Sequence, residues 1–177
     1  MIMLNELNLK TIMWMVPIIF FIHEMEEWNI LDWYHSTYVT PPPSTKLSCR
    51  LWLWAISIWG FLMTTIAYVI PNESISAMVL LILIVFTTFN GLQHIYWMFA
   101  FRKYAPGVIG SSIGIVAGGV ITAGILVQQL VSPIYVIVLY LITVPKIVQT
   151  IRAKNTLLKT FYSLHLLTVK IANCFEK

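Results

Sequence analysis

Between positions 23 and 27, one histidine and three carboxylates, His23, Glu24, Glu26 and Glu27, interrupt a stretch otherwise built of Phe, Ile, Met and Trp. On a helix, positions i, i+3 and i+4 share a face. His23, Glu26 and Glu27 therefore project together, with Glu24 at the edge of that face. The later sequence FNGLQHIYW repeats the spacing in Asn90, Gln93 and His94, and Thr87 and Trp97 extend the stripe. Imidazole and carboxylate are ordinary ligands of zinc and non-haem iron, and Glu and His three or four residues apart hold such ions inside helical bundles. His23, Glu27 and His94 are expected to form a three-ligand set for a divalent metal, Zn or Fe, with one position open to water. Glu26 is then a general base or a fourth ligand, and Asn90 an orienting or oxyanion donor. The exchanged pairing, in which Glu26 binds and Glu27 is the base, fits the spacing equally.

The elements that must position these residues are transmembrane. The 177 residues are 59% hydrophobic and 10% charged, with a mean hydropathy of +0.82, against roughly 25% charged residues in an average soluble domain. A helix needs about 20 apolar residues to cross a hydrocarbon core of about 30 Å. Four clean runs meet this, residues 51–70, 75–101, 108–130 and 134–151. A compromised one, 11–31, carries Pro17 and the charged cluster. Unpaired backbone is not tolerated in lipid, so runs of this length must be helices. The expectation is an all-α polytopic bundle of about five transmembrane helices forming a single domain, 1–177. Glu24, Glu26 and Glu27 stand where a signal peptide would need small residues, so no secretory leader is expected. Cys49 and Cys174 have no metal-like spacing and suggest no disulfide framework.

Basic residues collect on cytoplasmic loops. In the five-helix arrangement every Lys and Arg except Lys10 falls on one side: Lys46 and Arg50, Arg102 and Lys103, and Lys146, Arg152, Lys154, Lys159, Lys170 and Lys177. The N-terminus is thus expected outside and the C-terminus in the cytoplasm, and the net charge of +4 suits anionic lipid headgroups rather than nucleic acid. His23 then lies about 18 Å down the first helix and Asn90 about 22 Å down the third, which puts both polar faces at one depth. A charge near the membrane centre costs about 2.5–3.5 kcal/mol while an apolar residue returns about 0.3–0.6. The carboxylates therefore need compensation from the interface, a proton, a histidine partner or a metal.

In FRKYAPGVIGSS, Pro106 and Gly107 suit a break before the fourth helix, whose free N–H groups with Arg102, Lys103, Ser111 and Ser112 would make an anion or substrate site. Gly110, Gly114, Gly118 and Thr122 recur at four-residue steps and let backbones approach closely, within the chain or between copies in a homo-oligomer. The tail, residues 155–175, spaces Leu157, Leu158, Phe161, Leu164, His165 and Thr168 as an amphipathic helix expected along the inner membrane surface. His35 and His165 are expected to be solvated, and Pro41, Pro42 and Pro43 make an extended loop.

His23, Glu26 and Glu27 resemble the motif of the HXXEE family of small bacterial membrane proteins. NGLQH, with Asn90 and His94, looks like that family's N-x-x-x-H element, and RKYAPG, residues 102–107, is similar to a third feature in which an Arg and a Tyr precede Pro-Gly. The resemblance runs from the first helix to the start of the fourth. It implies that His23, Glu26, Glu27, Asn90, His94 and Arg102 share one site in a bacterial cytoplasmic membrane protein, and it supplies no substrate. The expected function is a membrane-embedded metal-dependent enzyme, a hydrolase or acyltransferase, acting on a lipid or other amphiphile from the inner leaflet. A proton-coupled carrier or channel component, and a non-catalytic membrane interaction subunit, are the competing expectations.

Overall fold

The computed structural model describes residues 8–156 and 159–175, and these are helical almost throughout, in the order α1 (Leu9–Ile12), α2 (Met15–Glu26), α3 (Ile30–Thr37), α4 (Lys46–Val69), α5 (Glu73–Phe101), α6 (Val108–Val127), α7 (Pro133–Ala153) and α8 (Lys159–Phe175). Four of them, α4 to α7, are long and apolar enough to cross a membrane.

The first apolar run does not form one continuous span. Pro17 has no N–H to offer the carbonyl of Met13, and the chain turns at positions 13–14 between α1 and α2. A second turn, 27–29, ends α2 after 12 residues, about 18 Å of rise against a hydrocarbon core of about 30 Å. A straight continuation would put Asp32 about 32 Å along the run, past the end of a hydrocarbon core of about 30 Å. The turn instead lets α3 bury Ile30, Leu31, Trp33 and Tyr34 while Asp32 and His35 stay exposed.

The four candidate spans follow their runs closely, with ends set by capping. Thr45 and Ser48 form a reciprocal capping box that starts α4 at Lys46, ahead of the apolar run. Asn72 accepts the Ile75 N–H at 3.0 Å to start α5. At the other end of α4 the Lys10 ammonium donates to the carbonyls of Ala67, Tyr68 and Ile70 at 2.7–2.9 Å. A cation there satisfies acceptors that the helix leaves open.

Within the bundle, α2 packs against α4 and α6, and α5 packs against the same two helices. Leu80, Leu81, Leu83 and Ile84 of α5 are fully buried at the centre. The glycine stripe of α6 is filled from within the chain. A Cβ on Gly110 would lie 2.6 Å from the His23 Cα, and one on Gly118 would lie 3.0 Å from Ile84. The face on which a second copy was expected thus seats α2 and α5. α7 touches the bundle mainly through α5 and leaves Ile134, Leu141 and Ile142 60–70% exposed, as a lipid-facing helix does.

The tail helix α8 packs on α4, and the connection that precedes it meets the extended Pro loop, with Val39 N–H bonded to Asn155 O at 3.1 Å and Thr40 bridged to Thr156. Leu157, Leu158, Lys177 and the side chains of Lys159 and Phe161 lie outside the described residues.

Candidate functional site

The two polar faces meet. α2 carries His23 and its C-cap is Glu27, one turn on, and the His23 Nε2 stands 3.0 Å from the Glu27 Oε1. α5 brings His94 to the same oxygen, with Nε2 also at 3.0 Å. The imidazoles pack edge to face with centroids 4.9 Å apart, and His23, Glu27 and His94 are 3%, 7% and 2% exposed. One ligand atom from each residue lies within 4.8 Å of the other two. Ligands held tetrahedrally about 2.0–2.1 Å from one ion stand roughly 3.3–3.4 Å apart, so the two 3.0 Å contacts, at hydrogen-bond length, would open by only a few tenths of an ångström around a shared cation.

The outer nitrogen of each ring fixes what the inner one can do. His23 Nδ1 lies 2.8 Å from the Gly107 carbonyl and His94 Nδ1 lies 2.6 Å from the Pro106 carbonyl. A carbonyl can only accept, so both Nδ1 atoms carry hydrogen, and each neutral ring presents a lone pair at Nε2. The Asn90 Nδ2, 3.0 Å from His23 Nε2, donates to that lone pair, and a cation bound there would take its place. Two lone pairs and a carboxylate oxygen therefore converge on one another. A proton on Glu27 would serve only one of the two short contacts. A cation among the three atoms, or a proton on each ring, serves both. Backbone carbonyls holding the outer N–H groups are the usual support of metal-binding histidines.

The close approach depends on glycine. Gly107, with φ +90°, is the N-cap of α6, and a Cβ there would lie 2.6 Å from His23 Cε1. The cap consequently has no side chain to offer the first N–H groups of the helix. Glu26 supplies it from α2, its Oε2 accepting from Gly110 N–H at 2.9 Å and its Oε1 from Ile109 N–H at 3.3 Å. The Tyr104 hydroxyl donates to the same Oε1. Desolvation and this hydrogen bond push the Tyr104 phenol up to about 12.

Glu26 is thus turned away from the His23, Glu27 and His94 cluster, and the anion at the α6 N-terminus is its own carboxylate. Of the residues expected to form a substrate or anion site there, Arg102 is exposed and caps α5 in the left-handed region, φ 50°. Ser111 is buried, with Oγ 3.1 Å from His23 Nδ1. Neither joins the other.

Helical spacing gives no role to Glu24, at the edge of the shared face. It is 2% exposed, its Oε1 is 3.6 Å from His23 Nε2, and that oxygen has no hydrogen-bond partner among the described residues. Glu24 and Glu27 line a cavity of about 200 Å³ with Asn90, Gln93 and His94 at its polar end and Trp52, Phe86 and Phe89 along its apolar wall. His165 of α8 also lines it, contrary to the solvated position expected. Its Nδ1 is 2.7 Å from the Ser44 Oγ, its ring stands edge-on to Tyr34, and burial pulls the imidazole down to about 4.

The chain matches the family described as "Protein of unknown function with HXXEE motif" over residues 14–122, more than half its length and inclusive of every residue of the cluster. None of the curated proteins and none of the solved structures matches it.

Proposed function

The chain belongs to the HXXEE family, and we propose that it is a metal-dependent enzyme embedded in the cytoplasmic membrane, performing hydrolysis or acyl transfer on a lipid or other amphiphile that enters from the inner leaflet. The observation that carries this is the convergence of His23 Nε2, His94 Nε2 and Glu27 Oε1 with both Nδ1 atoms held by carbonyls. Two imidazoles and a carboxylate with a position left open form the ligand complement of catalytic zinc, and also suit non-haem iron. The chemistry such an ion supplies when bound is polarisation of a carbonyl and acidification of a water.

The side chains around the cluster divide the remaining work. Glu24, buried and unpaired beside His23, is the general base that accepts the proton of the attacking water and returns it to the leaving group. Asn90 offers an amide donor to the developing oxyanion. The wall of Trp52, Phe86 and Phe89 holds the apolar chain of the substrate and keeps bulk water from the base. Lys46 and Arg50 begin α4, Arg102 and Lys103 follow α5, and Arg152 ends α7, all at helix ends near residues that line or adjoin the cavity, which supports a site opening toward the cytoplasmic leaflet.

Elemental mass spectrometry of the purified protein tests this reading. The expected result is close to one Zn, Fe or Mn per chain, lost in His23→Ala and in His94→Ala. A metal-free wild type that drives proton-linked flux in liposomes would favour a relay through the buried Glu24, His23, Glu27 and His94 series instead.

A further inference from the structure

The second carboxylate of the motif has a task of its own. Glu26 is the last residue of α2 and Glu27 its C-cap, so their side chains leave the helix end about 100° apart. Glu27 turns to the two imidazoles, and Glu26 turns to α6. Both oxygens of Glu26 are engaged, by the N–H groups of Ile109 and Gly110 and by the Tyr104 hydroxyl. A residue so occupied is poorly placed to bind an ion or take a proton from a substrate. What it holds is the segment whose carbonyls, Pro106 O and Gly107 O, bond the outer nitrogens of His94 and His23.

We propose that Glu26 is a positioning residue: by capping α6 from α2 it holds the Pro106 and Gly107 carbonyls on the two imidazoles, and so determines which nitrogen each ring offers to an ion. The need arises at Gly107. An N-cap is usually Ser, Thr, Asp or Asn, whose side chain accepts the N–H of the second or third helical residue. Here any side chain would collide with His23 and Glu27, and without a substitute cap the first turn of α6 would have open N–H groups beside the site. The carboxylate also suits the positive end of the helix dipole. The clamp ties α2, α6 and the loop between α5 and α6 together at the point where both imidazoles are oriented. The part of this inference that concerns an ion rests on the metal reading above; the part that concerns the ring tautomers does not.

Two measurements on the full-length protein in lipid nanodiscs test it. The first is a Co²⁺ titration against a competing chelator, and the second is nitrogen NMR of ¹⁵N-labelled histidine, assigned with the His23 and His94 variants. Wild type should show both rings with hydrogen on Nδ1. Glu26→Ala should weaken Co²⁺ binding about 10- to 100-fold, the usual effect of losing an outer support of a ligand, and should mix the tautomers of His23 and His94 while circular dichroism keeps the helix content of wild type. Glu26→Gln, which retains an accepting oxygen, should fall between the two, whereas Glu26→Met, which keeps the bulk without an acceptor, should behave as Glu26→Ala, a split that simple loss of packing would not give. Glu26→Ala with wild-type tautomers and wild-type Co²⁺ affinity would overturn the proposal. If Glu26→Ala fails to fold, Glu26→Gln indistinguishable from wild type in both readouts would overturn it instead. A wild type that takes no Co²⁺ refutes the metal reading alone, and the tautomer signals still decide the clamp.

Discussion

Glu24 in the last turn of α2 and Glu27 at its C-cap both line the cavity, yet their surroundings differ. Glu27 has an oxygen 3.0 Å from each of two imidazoles, whereas Glu24 stands 3.6 Å from one imidazole with that oxygen unpaired. If Glu27 is a ligand and Glu24 a base, Glu27→Gln should lose most of the bound metal and Glu24→Gln should keep it, as read by elemental analysis of the two purified variants. Equal loss in both would make Glu24 a ligand too. The cluster of His23, Glu27 and His94 was legible in the sequence because helical spacing is reliable and polar residues stand out in an apolar run. Glu24 was not, since it sits off that face and is buried only because α2 is enclosed by α4 on one side and α6 on the other. The role of Glu26 was hidden for a similar reason. It shares the arc of His23 and Glu27, and only the approach of α6, with a glycine for its cap, draws it away.

The packing of α6 on α2 sets how closely the site can close. A Cβ on Gly110 would meet His23 backbone at 2.6 Å, which cannot move aside as a flexible side chain can, while one on Gly119 would meet nothing within 4 Å. Gly110→Ala should therefore destabilise the fold by about 1–3 kcal/mol or more, as overpacking does, and Gly119→Ala should be neutral or stabilising by up to about 1 kcal/mol from helix propensity. Thermal unfolding of the two variants in the same detergent compares them directly. The docking of α8 carries a pH dependence. His165 titrates at about 4 when docked, below its ordinary value of about 6.5. Burial therefore favours the neutral ring, and its contribution to docking is full above about pH 6.5 and is lost as pH falls toward 4. A spin-label pair joining Cys174 to a cysteine at the exposed position Ile58 of α4 should give one narrow distance at pH 7.5 and a broad distribution near pH 4. His165→Phe should remove the change. The amphipathic character of this helix was plain from residue spacing, but the surface it docks on was not. Likewise, the apolar Trp28, Ile30 and Leu31 concealed the turn at 27–29 inside what reads as one hydrophobic run.

At the scale of the whole molecule, the four helices long enough to cross a membrane are what length and hydropathy alone dictate, and their ends fall near the runs that the sequence marks. What those quantities do not contain is the lateral arrangement that puts α2 beside α6 and α5 beside both α4 and α6. That arrangement turns two separate polar faces into one buried cluster at the end of the bundle where most of the basic residues gather. A bundle that encloses two histidines and two carboxylates next to an apolar cavity bears a cost that a merely structural membrane protein has no reason to incur. If these side chains hold an ion, anomalous scattering recorded at a metal absorption edge from crystals of the full-length protein should show a single strong peak about 2.0–2.2 Å from His23 Nε2, His94 Nε2 and the Glu27 carboxylate; a cluster with no peak at any of the Zn, Fe or Mn edges, or a peak bound by other residues, would rule the metal site out.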